Sequence, residues 1–165
     1  MSKFMRILAV VVLLATVVGA GAVLYGLNTL SPQVVQMSVA ATPATAVEDT
    51  FDSLVSQMEN NTFGGKVCGE VGDLRAEDCT FLTYTVRLQN RGFFPAEWIS
   101  LELTDAAEND VLILPDDSRH ALAAGSMGDI QLTLLNRTSQ PDTARTLRVT
   151  CYVFGQKIAF EVSVS

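Results

Sequence analysis

The sequence predicts a mainly β chain: a β-sandwich with one amphipathic helix inserted early and one apolar helix in front of it. Apolar and polar residues alternate in five stretches after residue 80, as they do in strands that are buried on one face only. The first 30 residues instead contain a long uncharged apolar run, and residues 45–60 repeat apolar side chains with a helical period. At 165 residues, the chain has room for one domain and an anchor.

The apolar run covers residues 7–27, which is 21 residues without a charged side chain. A helix of that length is about 31 Å long, close to the roughly 30 Å hydrocarbon core of a bilayer. Lys3 and Arg6 precede the run, and the next basic residue is Lys66. The positive-inside rule therefore predicts a cytoplasmic N-terminus and a translocated remainder.

These observations predict a cytoplasmic segment at residues 1–6, a transmembrane signal anchor in the lipid bilayer at residues 7–30 and an extracytoplasmic domain at residues 31–165. A cleaved signal peptide is the alternative, because the small residues Ala20-Gly21-Ala22 resemble a peptidase site. The apolar segment of a signal peptide is about 7–15 residues long, so this longer run favours an uncleaved anchor.

Charge is distributed unevenly along the chain. All eighteen Asp and Glu follow residue 45, whereas nine of the eleven Lys and Arg follow the apolar run. The domain beyond the run therefore carries a formal charge of about −9 and repels phosphate backbones. We expect no binding to nucleic acid.

Two elements are predicted between the apolar run and the alternating stretches. Residues 33–40 are rich in β-branched side chains and predict a first strand. A helix is predicted at residues 45–60, since Thr45 and Glu48 form a capping-box pattern. Its apolar residues share one face: Val47, Phe51, Leu54, Val55 and Met58. We expect that face to cover one side or end of the sandwich, and a partner-binding helix is the alternative.

From residue 80 onward the hydrophobic period is two residues, which predicts half-buried strands. The five alternating stretches are residues 82–88, 99–103, 130–134, 147–153 and 158–164. Edge strands are predicted at residues 111–114 and 120–123, and a short strand is predicted near Val67. Strands of this spacing, separated by turn residues, are typical of an immunoglobulin-like Greek-key β-sandwich.

Two segments carry a resemblance to known families. Residues 84–92, a strand that ends in Asn90-x-Gly92, resemble a turn of bacterial immunoglobulin-like domains of the CARDB type. Residues 122–126 end in Gly125-Ser126 and lead into a strand. A Gly-Ser pair before a strand is similarly found in those domains and in the WHy, or late-embryogenesis-abundant type, sandwiches. The resemblance covers roughly residues 80–165. Both families imply binding, spacing or scaffolding without catalysis, and the second often places a membrane helix before the sandwich.

The three cysteines have different expected environments. Cys68 and Cys79 bracket an acidic, Gly-rich loop, and a disulfide between them is a candidate in an oxidising compartment. Intermolecular pairing is an alternative for an exposed thiol. Cys151 has the inward parity of its stretch and is expected to be a buried, inert thiol. Cys79 has the outward parity of its strand, which disfavours a bridge to Cys151.

Three large aromatic residues, Phe93, Phe94 and Trp98, fall within six residues at a predicted turn. The parity of Trp98 is opposite to that of its apolar neighbours, so its ring is expected to face outward. Exposed aromatic side chains beside a proline often mark contact sites. These residues are therefore candidates for contact with a partner. The alternative is that they plug the end of the sandwich or seat the helix at 45–60.

The sequence offers little for catalysis or metal binding. His120 is the only histidine, and neither a nucleophile elbow nor an orienting acid accompanies it. No C-x-x-C pair suggests a zinc site. The acidic stretches at 105–110 and 116–117 offer carboxylates for Ca²⁺, although solvated turns explain them better. We predict no catalytic residue, no metal and no cofactor.

The expected function is a non-enzymatic, membrane-anchored domain that acts as an interaction or structural module of the cell envelope, with a protein partner there. The alternative is a ligand-binding or stress-protective sandwich that takes a small molecule or Ca²⁺. An enzyme ranks third, because the sequence presents no convergent set of polar residues.

Overall fold

The computed structural model of the protein describes residues 3–28, 31–69, 72–114 and 120–164. Helix α1 (Lys3–Asn28) comes first, and helix α2 (Glu48–Glu59) follows strand β1 (Gln33–Pro43) and a 3-10 turn (Ala44–Val47). A second 3-10 turn (Ala76–Asp78) precedes β3. The remaining strands are β2 (Lys66–Val67), β3 (Thr80–Gln89), β4 (Ala96–Leu103), β5 (Asp110–Ile113), β6 (His120–Leu122), β7 (Met127–Asn136), β8 (Arg145–Val153) and β9 (Gln156–Val164).

The strands form two antiparallel sheets. One sheet has the order β1-β3-β7-β5-β2, and the other has the order β6-β4-β8-β9. The prediction of a mainly β chain with two sheets is therefore confirmed. β6 is an edge strand as predicted, but the same prediction for residues 111–114 is wrong. The two residues of β2 pair with β5 and take the edge position beside it.

The alternating residues of the strands meet between the two sheets and form the first core. Every second residue of β3, from Leu82 to Leu88, is almost fully buried there. The facing sheet contributes Leu147, Val149 and Cys151 from β8. This arrangement confirms the inward parity predicted for Cys151. Each fully buried Leu or Val contributes roughly 1.5–3 kcal/mol relative to an exposed one, so this core dominates the stability of the domain.

A second core lies on the outer face of the five-stranded sheet. Phe51 and Leu54 of α2 are buried there with Phe81 of β3 and Leu135 of β7. The apolar face predicted for the helix is thus the face that packs. Cys79 belongs to the same core and is 2% exposed. Its outward parity therefore does not expose it, because α2 and the turn before β3 cover that side of the sheet.

The capping box predicted at Thr45 and Glu48 is wrong. The residue before α2 is Val47, and no side chain caps the helix. The chain instead approaches α2 through a 3-10 turn, in which the buried Ala44 donates its N–H to Cys79 O at 3.0 Å. Packing on the sheet, and not a side-chain cap, therefore determines where this helix begins. The predicted end at Asn60 is confirmed, since Asn60 follows the last residue of α2.

The strand register brings the start of β1 to the same end of the sandwich as three loops. Gln33 pairs with Gln89, the last residue of β3. The loops at 90–95, 123–126 and 154–155 connect β3 to β4, β6 to β7 and β8 to β9 at that end. Whatever precedes β1 therefore joins the domain beside these loops.

Helix α1 has described side chains at residues 8–21, and all of them are exposed. Among the residues that the structure describes, none forms a helix with the length and apolar character needed to cross a membrane. Residues 29 and 30 of the predicted anchor lie outside the described residues.

Candidate functional site

Two predicted contact residues project from the loop before β4. Phe93 is 69% exposed and Phe94 is 39% exposed. The ring of Phe94 lies against the ring of Phe154, with the two centroids 5.0 Å apart. Phe154, which the sequence analysis did not single out, is 80% exposed in the turn between β8 and β9. The structure therefore brings aromatic residues from two separate loops together.

Trp98 is oriented by a β-bulge. The register of β4 shifts between Ala96 and Ile99, so that Glu97 and Trp98 both face outward while their flanking residues stay buried. Trp98 has a φ of 52°, in the left-handed region that a bulky side chain rarely adopts. Such a conformation costs about 1–3 kcal/mol and clusters at functional sites. The ring is 58% exposed, so burial compensates only part of that cost.

Phe154 occupies a position that disfavours it. Val153 pairs with Gln156, so the β8–β9 turn has two residues, Phe154 and Gly155, with φ values of 50° and 76°. Two positive φ values define the type I′ geometry, for which Asn-Gly is a preferred sequence. A phenylalanine in the left-handed region costs roughly 1–2 kcal/mol. Backbone preference and burial do not favour this ring, which makes Phe154 a further candidate contact residue.

Asn90 joins the loops beneath these rings. It is 1% exposed, and its side-chain amide donates to Phe94 O at 2.8 Å and to Leu122 O at 3.0 Å. Its side-chain oxygen accepts the N–H of Gly92 at 3.0 Å, and its own N–H donates to Ser126 O at 2.9 Å. The polar groups of Asn90 are thus satisfied, which fixes the loops and the rings that they carry.

We call the surface formed by Phe93, Phe94, Trp98 and Phe154 the aromatic end. Outside α1, nine described large apolar side chains are exposed, and all but Val67 lie in the half of the sandwich that begins with Gln33. Those eight are Val35, Met37, Phe93, Phe94, Trp98, Met127, Tyr152 and Phe154. α2 does not cover them, because its buried residues belong to the second core. The alternative in which the aromatic residues seat that helix is therefore wrong.

The opposite end of the sandwich has a different character. We call it the acidic end, and it comprises the loops at 104–109 and 137–144. The charged residues of these two loops are Asp105, Glu108, Arg137 and Asp142. In contrast, Arg91 is the single charged residue in the three loops of the aromatic end, all of which are described.

A buried ion pair holds the acidic end together. The side chains of Asp110 and Arg145 are 1% and 8% exposed, and Arg145 Nη2 lies 3.2 Å from Asp110 Oδ1. Asn136 donates to the same carboxylate oxygen at 2.7 Å, and the N–H of Ala107 donates to the other at 2.7 Å. Both oxygens are thus engaged inside the protein. Asp110 is therefore a structural residue in this arrangement and not a carboxylate offered to Ca²⁺.

Tyr84 lies in the first core near this ion pair. Its hydroxyl donates to Thr143 O at 3.2 Å. Burial raises the pKa of Tyr84 to about 12; the charge of Arg145 lowers this pKa by a smaller amount, and the charge of Asp110 raises it. The phenol therefore stays protonated at physiological pH and serves as a hydrogen-bond donor to the β7–β8 loop.

Cys68, Cys79 and Cys151 are all free thiols in the structure. The candidate disulfide between Cys68 and Cys79 is thus not formed in it. Burial is the main cause that raises the pKa of each thiol. A raised pKa lowers the thiolate fraction at neutral pH, so none of the three is activated as a nucleophile.

No group of three or more His, Cys, Asp or Glu side chains in the described part of the chain could hold a metal ion. The acidic pair at 116–117 and the side chain of His120 lie outside the described residues. An open groove of about 690 Å³ lies between β4 and β7. Leu101, Leu103 and Leu132 line it, with Glu102 and Lys66 as charged groups. The volume of this groove lies in the range that is usual for small-ligand sites.

The aromatic end thus combines exposure, unfavourable backbone conformations and a rigid support, which makes it the strongest candidate contact surface among the described residues. Sequence patterns indicated three of its four rings. They missed Phe154, for which the signal was Phe-Gly in a two-residue turn that favours Asn-Gly. Comparisons with protein-family models, with curated proteins and with solved structures find no match to this chain.

Proposed function

We propose that this protein is a non-enzymatic, membrane-anchored, extracytoplasmic domain that acts as an interaction or structural module of the cell envelope. The aromatic end is its contact surface. One observation carries this proposal: four exposed aromatic rings gather at one end of the sandwich. Two of them, Trp98 and Phe154, are held at positive φ, and the buried Asn90 fixes the loop that carries the other two. That arrangement is costly for folding alone, and recognition of a partner explains why it exists.

The strand order supports an immunoglobulin-like Greek-key sandwich as the scaffold. β1-β3-β7-β5 corresponds to the A-B-E-D sheet of such domains, and β4-β8-β9 corresponds to the C-F-G sheet. β2 and β6 are additions at the sheet edges. Scaffolds of this kind present binding loops at their two ends, which is where the aromatic end lies.

The proposed anchor rests on the sequence of residues 7–27, an uncharged apolar run that lies within α1. The described side chains of α1 are exposed, and many are large and apolar, such as Leu13 and Val18. In water this surface would be unfavourable, whereas a bilayer solvates it. The basic residues Lys3 and Arg6 favour a cytoplasmic N-terminus.

The anchor and its orientation are tested by thiol labelling of the full chain in spheroplasts. In a Cys68→Ser background, Gln140→Cys places a reactive thiol on the exposed β7–β8 loop, while Cys79 and Cys151 stay buried. A membrane-impermeant maleimide should label Gln140→Cys in intact spheroplasts and label Ser2→Cys only after permeabilisation. The chain should also stay in the membrane during an alkaline carbonate wash. Extraction by carbonate would refute the anchor.

The contact surface is tested by photo-crosslinking in cells. Benzoylphenylalanine at Phe93 keeps an aromatic ring at the aromatic end, and the same residue at Gln140 is the matched control on the acidic end. Adducts, with lipid or with protein, should form from position 93 and be at least fivefold fewer from position 140. Equal yields at both positions would refute the aromatic end as a specific surface.

The groove between β4 and β7 supports a second candidate function, in which the sandwich binds a small molecule. Its volume falls in the range of about 300–1,000 Å³ that is usual for ligand sites. A thermal-shift screen of the full chain in detergent tests this candidate. A ligand of the groove should lose its effect in Leu132→Trp, which fills the cavity, and keep it in Phe93→Ser.

A further inference from the structure

We infer that the aromatic end rests in the interface of the same bilayer that holds α1, with the ring of Trp98 at the level of the lipid headgroups. This inference rests on the membrane anchor proposed above and names the partner of the same surface. The sandwich then stands on the membrane through Phe93, Phe94, Trp98 and Phe154, and its acidic end points away from the bilayer.

The connection between helix and sandwich places the aromatic end close to the membrane. α1 ends at Asn28 and β1 begins at Gln33, so only residues 29–32 separate them. Gln33 follows Asn28 by five residue steps, which span at most about 18 Å. Because Gln33 pairs with Gln89, the point of attachment lies beside the loop that carries Phe93 and Phe94. The aromatic end is therefore the part of the domain nearest to the proposed anchor.

The positions of the rings suit the depth profile of an interface. Trp98 lies two residues beyond the start of β4, about 7 Å from the end of the strand. The headgroup region is roughly 5–7 Å thick on each side of the hydrocarbon core. With Trp98 among the headgroups, the loop residues Phe93 and Phe154 extend to the edge of the acyl chains. Tryptophan is enriched at headgroup level, where its apolar ring and N–H are both accommodated.

The shape of the surface favours lipid over a protein partner. Phe93 and Phe154 are 69% and 80% exposed at loop tips, which makes them convex projections. Aromatic anchors in protein interfaces are usually enclosed by well-packed neighbours, whereas projecting rings can insert between headgroups. A fluid bilayer accommodates such projections without a complementary pocket.

The charge distribution permits the same orientation. The domain is acidic as a whole, and anionic headgroups would repel most of its faces. In the three loops of the aromatic end the one charged residue is Arg91, which is attracted to lipid phosphates. The acidic end carries Asp105, Glu108 and Asp142 and is the end that this orientation keeps in water.

Trp98 is the only tryptophan of the chain and therefore reports its own surroundings. The test uses the full chain in phosphatidylcholine–phosphatidylglycerol vesicles, with and without phosphatidylcholine brominated in its acyl chains. Brominated lipid should quench Trp98 fluorescence by at least 40%, and the emission should shift to shorter wavelength relative to the chain in detergent. Trp98 that stays unquenched and open to aqueous acrylamide would overturn the inference.

The matched control moves the reporter to the acidic end. The double variant Trp98→Phe, Gln140→Trp places the tryptophan on the exposed β7–β8 loop, about 30 Å away along the strands. Brominated lipid should leave its emission within 10% of the unbrominated value. Equal quenching of both reporters would show that the sandwich lies on its side, which also overturns the inference.

Removal of the projecting rings tests their contribution. Phe93→Ser with Phe154→Asn should lower the quenching of Trp98 at least twofold, and retention in carbonate-washed vesicles should not change. Unchanged quenching in this variant would contradict the docked orientation. Loss of carbonate retention by the unmodified chain would instead refute the anchor, so the two failures are distinguishable.

Discussion

The two ends of the sandwich are alike because each is held by a buried polar residue. They differ in the side chains that they expose to solvent. At each end, one buried polar residue links neighbouring segments. Asn90 links the β3–β4 loop to the β6–β7 loop, and Asp110 links the β4–β5 loop to Asn136 and Arg145. At the acidic end, the ion pair of Asp110 and Arg145 is buried, while the charged loop residues Asp105, Glu108 and Asp142 are exposed. At the aromatic end, apolar rings are displayed outside. Folding explains the buried ion pair, and the exposed rings support the proposal that the aromatic end is the contact surface.

The largest expected effect tests the internal character of the acidic end. Arg145→Met should lower the free energy of unfolding by about 3–5 kcal/mol, because Asp110 would remain buried without its cationic partner. Urea denaturation of the full chain in detergent measures this loss. Arg148→Met is the control, since Arg148 forms an exposed ion pair with Glu161 in the same region of the sheet. Equal losses from both variants would contradict the role assigned to the buried pair.

Removal of the buried polar residue at the aromatic end should cause a smaller loss of stability, because Asn90 is uncharged. Asn90→Ala should lower the free energy of unfolding by about 1–3 kcal/mol, since the carbonyls of Phe94 and Leu122 lose their donor. It should also increase the quenching of Trp98 fluorescence by acrylamide, because the loops loosen. Gln89→Ala, at the half-buried neighbouring position whose side chain bonds only the exposed Arg91, should change stability by less than about 0.5 kcal/mol.

Tyr84 should make the acidic end sensitive to alkali. Its folded pKa is about 12, above the unfolded value near 10, so its contribution to stability is complete below pH 10. That contribution should be lost progressively as the pH rises from 10 to 12. Tyr84→Phe should lower stability at pH 7 by about 0.5–1.5 kcal/mol and remove this part of the alkaline decline. An unchanged decline in the variant would assign it to other groups.

The smallest expected effect is an increase in stability. Phe154→Asn should raise the free energy of unfolding by about 1 kcal/mol, because Asn-Gly suits the type I′ turn. Gly155→Ala, at a φ of 76°, should lower it by a similar amount and reports the same backbone geometry. A stability loss in Phe154→Asn would mean that ring contact with Phe94 outweighs the backbone strain, and Phe154 would then be structural.

Most of the fold could be predicted because alternation and helical periodicity report which side of an element is buried. The strands after residue 80 and the packing face of α2 follow from that signal. Parity alone does not reveal what covers the other side of a strand. Cys79 was expected to face outward, and it does, but α2 buries it there. Likewise, the start of α2 depends on the contact of Ala44 with Cys79, which a capping pattern does not contain.

The candidate site could be predicted only in part, for a similar reason. Phe93, Phe94 and Trp98 are close in sequence and formed a visible cluster, whereas Phe154 joins them through the pairing of β4 with β8. Asp110 and Arg145 are 35 residues apart, and nothing local pairs them. Asp110 was therefore interpreted as part of a solvated loop. The family resemblance stays a prediction, and so does the anchored orientation, which thiol labelling and the quenching of Trp98 test.

The direction of β1 has a mechanical consequence. This strand begins at the attachment point of the proposed tether and pairs with β3 along almost its whole length, from Gln33 to Pro43. A pull on the tether acts along the strand, while the hydrogen bonds of the ladder lie across it. The load is then shared by many bonds at once and does not break them one by one. In the proposed anchored state, the ladder between β1 and β3 would therefore resist a pull along the tether.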